Sequence, residues 1–336
     1  MQGRFEVEQK TFIKTEAIAK TMPDYVQEWY LSLKASQKTA ATCKDYLTKI
    51  RHFLSFVDKD IKTVPVNSLS PKVVEYFISA QTKEAGNGTL AQTSDSYQQS
   101  IWCCLNSFFS FLVQKKYINE NPMTTIQKPK NRDLQRINQH RDLVNKQNCK
   151  EILEAVSEGV GSRKAKGYQK TTRNRDDAIL KLLMSTGMRK TALSEINIED
   201  IDFKTRILSV VDKGNKTHQY YLPDTIVDTL RRWLKDREQI VGRTGGALFV
   251  SSKGSRLSSD AIYDLVKKYS GGVLEKSISP HKLRAGFCSI LYAETGDIEF
   301  VRRAVGHSNL STTQRYIVTN GEEKKKAANM ISNLFT

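Results

Sequence analysis

What this 336-residue chain lacks narrows its class before any motif is considered. No apolar run reaches the length of a membrane-spanning helix, and the start, Met1-Gln-Gly-Arg-Phe-Glu, lacks the apolar centre of a secretory signal. The expectation is a protein that stays in the compartment where it is made, the cytoplasm, with no membrane partner. The five cysteines (Cys43, Cys103, Cys104, Cys149 and Cys288) are odd in number, scattered and free of any C-x-x-C. That pattern argues against both a disulfide framework and a zinc module, and favours reduced thiols. Metal-spaced histidines, a paired-carboxylate site and a glycine-rich phosphate loop are also missing from the sequence pattern, so no metal and no cofactor is expected. No repeat of solenoid length is visible.

What is abundant is positive charge. Against 36 Asp and Glu stand 53 Lys and Arg, a surplus of +17 spread along the chain, which implies a polyanionic partner and salt-sensitive binding. A basic protein that is merely soluble is the bland alternative until motifs are weighed. The hydrophobic fraction of 39% suits folded material, and the length suits two domains, each with its own core.

Residues 1–21 carry only a weak Phe5, Val7, Phe12, Ile13 pattern and form an extension of unknown role. From Pro23 the apolar spacing predicts helices: Val26, Trp29, Tyr30 and Leu33 on one face, then from Thr39 Tyr46, Ile50, Phe53, Leu54 and Val57. Ser70-Pro71 opens a third with Val74, Phe77 and Ile78. After the Gly86-Asn87-Gly88 turn, a fourth from Ser94 to Lys116 carries Ile101, Leu105, Phe108, Phe109 and Leu112. Residues 22–126 thus read as a compact helical domain. Its surface carries Lys34, Lys38, Lys44, Lys49, Arg51, Lys115 and Lys116. The polar, basic stretch 127–144 reads as a linker, and residues 145–336 as a second domain.

The second domain begins with a helix bearing Ile152, Leu153 and Val156. Gly159 to Arg175 reads as an irregular basic loop, with Asp176-Asp177 opening the next helix and Gly187 ending it. That break puts Arg189 at a helix junction. Ile201–Phe203, Arg206–Val211 and Gln219–Leu222 read as short strands, the last two joined by a hairpin turn that presents Lys213. Helices resume around Ile226, Ile262 and Pro280, then over Asp297–Val305 and around Tyr316. The expected fold is mainly α, with a small antiparallel β-sheet in the second domain.

The stretch from Ser279 to Tyr316 concentrates the chemistry. His281 and Arg284 lie one helical turn apart on one flank, both able to donate to one oxyanion, while Leu283, Phe287 and Ile290 take the adjacent flank. Alone, that pair is equally an exposed polar face. It is accompanied by Arg189, Lys213 and His307, and Tyr316 lies nine residues beyond His307. Cations aimed at a phosphodiester stabilise the charge that grows on its equatorial oxygens, and a tyrosine beside such groups can act as nucleophile. His52, His140 and His218 read as structural or exposed, Cys103-Cys104 as core, and the Phe108-Phe109 and Tyr220-Tyr221 pairs as packing residues.

Thr186-Gly-Met-Arg189, the Lys213-Gly-Asn-Lys216 hairpin, His281-Lys-Leu-Arg284, Gly306-His307 and Tyr316, taken in order, resemble the tyrosine recombinase family of phage-integrase and Xer-like enzymes. The resemblance covers roughly residues 22 to 320 and makes the first domain similar to that family's core-binding domain. It implies that Tyr316 attacks a DNA phosphate to give a 3′-phosphotyrosyl enzyme and a 5′-hydroxyl, without metal or ATP. Arg189 and Arg284 would bind the non-bridging oxygens, Lys213 would protonate the leaving oxygen, His281 would serve in proton transfer and His307 would donate to the phosphate. It further implies double-stranded DNA clamped between the domains, a homotetramer on two DNA sites, accessory proteins in some settings, and a nucleoid-associated life in a prokaryotic or mobile-element host. Lys38, Lys44, Arg51, Lys115, Lys164, Arg173 and Lys216 are the candidate DNA contacts.

One position departs from the family pattern: Ala192 stands where a carboxylate is common, with Glu195 or Asp212 as candidate substitutes. Two other readings share the residues, a type IB topoisomerase-like relaxing enzyme and a catalytically idle DNA-binding regulator. By the same resemblance the apolar tail Met330–Phe335 would dock on a neighbouring subunit, with docking in cis as the alternative.

Overall fold

A computed structural model describes residues 2–84, 90–130, 144–212, 216–242 and 246–306. The chain divides into two compact units, Gln2–Ile137 and Asn138–Thr336.

The first unit is built from α1 (Gln2–Ala19), α2 (Asp24–Ala35), α3 (Ala40–Val57), α4 (Pro71–Ser79) and α5 (Asp95–Gln114). Side chains set the starts: Thr39 accepts from the Thr42 amide at 3.3 Å and Ser94 from the Tyr97 amide at 3.3 Å, while Pro71 occupies the first turn of α4. Their apolar faces converge on an aromatic core of Trp29, Phe53, Phe77, Phe108 and Phe109, all fully buried. Edge-on contacts such as Trp29 with Phe108, centroids 5.1 Å apart, lock the rings. The expected extension is part of this unit. Helix α1 packs along α3, burying Thr15 and Ala19 and setting Phe12 against the core, while Ile13 stays exposed.

Two findings revise the sequence reading here. A two-stranded antiparallel ribbon, β1 (Thr82–Glu84) with β2 (Leu90–Gln92), flanks the Gly86–Gly88 turn, whose residues lie outside the described ones. Lys49 is not on the surface: it is buried and bonded to Asp45 and, at 2.7 Å, to Ser100 Oγ.

In the second unit α6 (Lys146–Glu158) starts on a capping box between Asn145 and Asn148. The segment after α6 contradicts the expected loop. Helix α7 runs unbroken from Arg163 to Thr186, so only the Gly159–Ser162 link is irregular. Ser162 caps its start by accepting from the Ala165 amide at 3.3 Å. The segment is polar and basic because most of its side chains face solvent, not because it is unstructured, while Gln169 and Thr172 are buried and Gln169 bonds back to the Val160 backbone at 2.8 and 3.0 Å.

Asp176 accordingly sits within α7, not at its start, and is fully buried. It accepts from Arg175 at 2.8 and 3.0 Å, Tyr269 Oη at 2.8 Å, Thr172 Oγ1 at 3.1 Å and Lys268 Nζ at 3.2 Å. Arg175 also donates to the Val250 carbonyl at 3.2 Å, so it is a structural arginine. A buried carboxylate with this many donors ties α7 to α10 (Ser259–Gly271).

The rest of the unit comprises α8 (Lys190–Glu195), a three-stranded antiparallel sheet in the order β3 (Ile201–Asp202), β4 (Ile207–Asp212), β5 (Lys216–Tyr221), then α9 (Asp224–Val241), α10, α11 (Pro280–Thr295) and α12 (Ile298–Ala304). The β4–β5 register pairs Ile207 with Tyr221 through Asp212 with Lys216, and residues 213–215 between them lie outside the described ones. Trp233, Phe249, Ile262, Val266 and Tyr269 centre its core. Tyr220 is buried as expected, whereas Tyr221 is 61% exposed beneath Arg206. No described helix is long and apolar enough to cross a membrane.

Candidate active site

The site grows from the turn that ends α7. Gly187 adopts φ +60°, and a Cβ there would lie 2.5 Å from Phe287 Cδ1 on α11, so both the left-handed backbone and the close approach demand glycine. Thr186 Oγ1 donates to the Leu182 carbonyl at 2.6 Å and accepts from the Met188 amide at 3.2 Å, which sets the path of the turn. Arg189 comes next, in extended conformation, as the N-cap of α8. It is held at the expected junction.

Helix α11 supplies the other wall. Ser279 accepts from the Lys282 amide at 3.4 Å and Pro280 occupies the first turn, which places His281 at the exposed helix start. Arg284, one turn on, is 3% exposed. Its Nη1 donates to the Gly187 carbonyl at 2.5 Å and its Nη2 to the Val305 carbonyl at 2.8 Å. A guanidinium held by main-chain oxygens keeps its charge and gains a fixed direction. One turn further, burial pushes the Cys288 thiol up to about 11, partly countered by Arg284.

Arg189, His281 and Arg284 line one cleft of about 320 Å³. Its other walls are Met188, Lys190, Thr191, Tyr263, Ser279 and Pro280. Lys190 and Tyr263 were not singled out from sequence. Lys190 Nζ lies 5.1 Å from the Tyr263 ring centre and 3.2 Å from Asp260, and Lys267 Nζ approaches the same ring at 5.6 Å. The only signal for Lys190 was its adjacency to Arg189; Tyr263 gave none, because it reads as one more apolar position of α10.

Lys213, His307 and Tyr316 lie outside the described residues, as do His140 and the Met330–Phe335 tail. Ala192 packs in the core of the unit, so a carboxylate at that position would meet apolar side chains. Glu195, on the last turn of α8, is half-buried and engaged by neighbours. Of the candidate DNA contacts, Lys38, Lys44, Arg51, Lys115 and Lys164 are exposed and Arg173 is half-buried; Lys216 opens β5. Among the described residues no cluster of His, Cys, Asp or Glu is arranged to hold a metal ion.

The sequence profile of the phage integrase family matches residues 143–323. The chain belongs to that family. It is a tyrosine recombinase, an enzyme of site-specific recombination, and its relatives in sequence include Xer proteins. It is 30% identical over 283 residues to tyrosine recombinase XerC of Thermodesulfovibrio yellowstonii, covering 82% of this chain and 84% of that protein. It is 31% identical over 246 residues to tyrosine recombinase XerD of Staphylococcus saprophyticus, covering 72% and 77%. The recombinase fold recurs in solved structures of low identity. The XerH site-specific recombinase bound to a palindromic difH substrate aligns with TM-score 0.61 at 19% identity over 87% of this chain and 80% of that one. The Tn1549 transposon integrase in complex with a circular intermediate DNA aligns with TM-score 0.62 at 17% identity over 90% and 98%.

Proposed function

We propose that this recombinase cleaves duplex DNA by attack of the Tyr316 hydroxyl on the scissile phosphate. The new bond joins the phenolic oxygen to phosphorus, and the bond to the 5′-oxygen breaks. Arg189 and Arg284 stabilise the non-bridging oxygens, His281 takes part in proton transfer, His307 donates to the phosphate and Lys213 protonates the departing 5′-oxygen. Attack by a 5′-hydroxyl from another strand reverses the step, so the phosphotyrosyl ester conserves the energy of the broken bond and no ATP is consumed.

The observation that carries the reading is the shared cleft of Arg189, His281 and Arg284, assembled from two helix starts nearly a hundred residues apart. Two guanidiniums and an imidazole around one small volume favour a transition state whose equatorial oxygens gain charge. The exposed Lys38, Lys44, Arg51, Lys115 and Lys164, together with Arg173 and Lys216, would follow the DNA backbone. The working form would be a homotetramer on two DNA sites in the cytoplasm, with the Met330–Phe335 tail docking on a neighbour. The tetramer is suggested by a λ integrase tetramer bound to a Holliday junction, a structure of TM-score 0.61 and 15% identity that covers 87% of this chain and 76% of that one.

The test is a nicked suicide duplex built on sites recovered by binding selection. A covalent adduct mapped to Tyr316 and lost in Tyr316→Phe is the expected result; an adduct that persists in that variant overturns the reading. Relaxation of plasmids lacking the selected site would favour a topoisomerase-like activity instead. Truncation after Gly321 should weaken pairing of two sites while leaving single-site binding intact, and unchanged pairing would remove the tail from the assembly.

A further inference from the structure

We infer that His218 is a positioning residue for DNA cleavage, holding from the β-sheet the end of α12 against which Arg284 is aimed. The inference rests on the reading of Arg284 as a phosphate-binding group.

The last carbonyls of a helix have no partner within it, and cationic or N–H donors are favoured there. At the end of α12 two successive carbonyls are taken by different elements. His218 Nε2, on β5, lies 3.3 Å from the Ala304 oxygen, and Arg284 Nη2, on α11, lies 2.8 Å from the Val305 oxygen. A carbonyl only accepts, so Nε2 is the donor in this contact.

The imidazole is also confined laterally. The Tyr220 ring meets it edge-on, centroids 4.5 Å apart at 72°. Gly306 adopts φ +68°, and a Cβ built there would stand 3.2 Å from His218 Nδ1. Glycine at 306 therefore serves the left-handed turn and clears the ring at once. A histidine that reads from sequence as structural or exposed turns out to join β5 to the end of α12.

Its importance comes from what the next peptide does. Arg284 bridges Val305 to Gly187, two residues ahead of Arg189, so the end of α12 and the turn that carries Arg189 share one guanidinium. Removing the imidazole leaves the Ala304 oxygen to water and frees this end of the helix. Val305 moves with Ala304, and Arg284 tracks the carbonyl it donates to. Misplacing a catalytic group by about 1 Å costs on the order of 100-fold in rate.

The experiment uses the full chain and single-turnover adduct formation on the nicked duplex at saturating protein, where binding drops out. His218→Ala should react roughly 10–100-fold slower, with duplex affinity within about twofold of the parent. His218→Gln, whose amide N–H can donate to the Ala304 oxygen, should recover most of the rate, and Gly306→Ala should reproduce the slow reaction by displacing the ring. A second substrate carries a methylphosphonate at the scissile position and so lacks the charged oxygen that Arg284 neutralises. There His218→Ala and the parent should react at nearly equal rates. A wild-type rate for His218→Ala on the phosphodiester, an equal slowing on both substrates, or a glutamine no better than alanine would each overturn the inference. Should the alanine variant melt below the assay temperature, the glutamine and Gly306→Ala proteins carry the test. Arg284→Ala separates the two levels: a wild-type rate there overturns the parent reading, whereas a slow Arg284→Ala beside a normal His218→Ala overturns this inference alone.

Discussion

The two units solve the problem of being inside a protein differently. Among the described residues of Gln2–Ile137 the buried polar or charged groups are few (Thr15, Lys49, Gln81 and the hydroxyls of Tyr25 and Tyr30), and the interior is aromatic. In Asn138–Thr336 the interior holds Asp176, Arg237, Arg284, Asn197 and several hydroxyls. On the proposed reading the first unit meets DNA through surface lysines and needs little buried charge, whereas the second aims guanidiniums at a phosphate, and each charge it buries requires fixed acceptors. The carbonyls of Gly187 and Val305 serve Arg284 in this way, and the Ala247 carbonyl serves Arg237 at 2.9 Å.

The contrast can be broken at several points. Asp176→Ala should be the most damaging to stability, by about 3–5 kcal/mol, because it strands buried donors on Arg175 and Tyr269; denaturant unfolding measures it, and a loss below about 1 kcal/mol would mean the cluster is wet. Phe108→Ala should cost a comparable ~3–5 kcal/mol by a different route, cavity formation, and should lower the unfolding midpoint of the first unit while the cleavage rate of the folded protein stays unchanged. Arg189→Ala should reverse that pattern: stability near normal and adduct formation down by about 10²–10³ in a single-turnover assay.

Smaller effects sharpen the same comparison. Each unit buries a tyrosine hydroxyl, Tyr25 donating to the Val64 carbonyl at 2.9 Å and Tyr269 to Asp176. Burial raises both pKa values, with Asp176 adding to the effect at Tyr269. The folded protein then holds protons that the unfolded chain releases above pH ~10, so these contributions are complete below that pH and fade as it rises through the folded values. Alkaline unfolding curves for Tyr25→Phe and Tyr269→Phe should both be flatter above pH ~10. Lys44→Ala should change little beyond lowering the salt slope of duplex binding by roughly one; an unchanged slope would take Lys44 off the DNA.

Periodicity made most helices legible, and turn chemistry gave the breaks at Pro71, Gly187 and Pro280. It failed where a helix is polar nearly all round. From Arg163 to Arg175 no apolar stripe announces α7, because this half is held by capping at Ser162 and by Gln169 rather than by a hydrophobic face. The short β1–β2 ribbon is too brief for alternation to register. Within the site, Arg189, His281 and Arg284 stood out through the one-turn spacing of His281 and Arg284, the Gly187 break before Arg189 and the ordered motifs that resemble the recombinase family. Tyr263 and His218 did not, since each has an ordinary place in its own helix or strand and acquires meaning only from residues distant in sequence.

The continuity of α7 has a mechanical meaning. At 1.5 Å per residue its 24 residues form a rod of about 36 Å, with exposed Lys164 in its first turn and the Gly187–Arg189 turn at its far end. A loop would absorb a push on Lys164 locally, whereas a rod acts as a lever. Pivoting about the Asp176 anchor, a tilt of a few degrees at one end is delivered to the other as a displacement approaching about 1 Å, the scale on which cleavage rates respond.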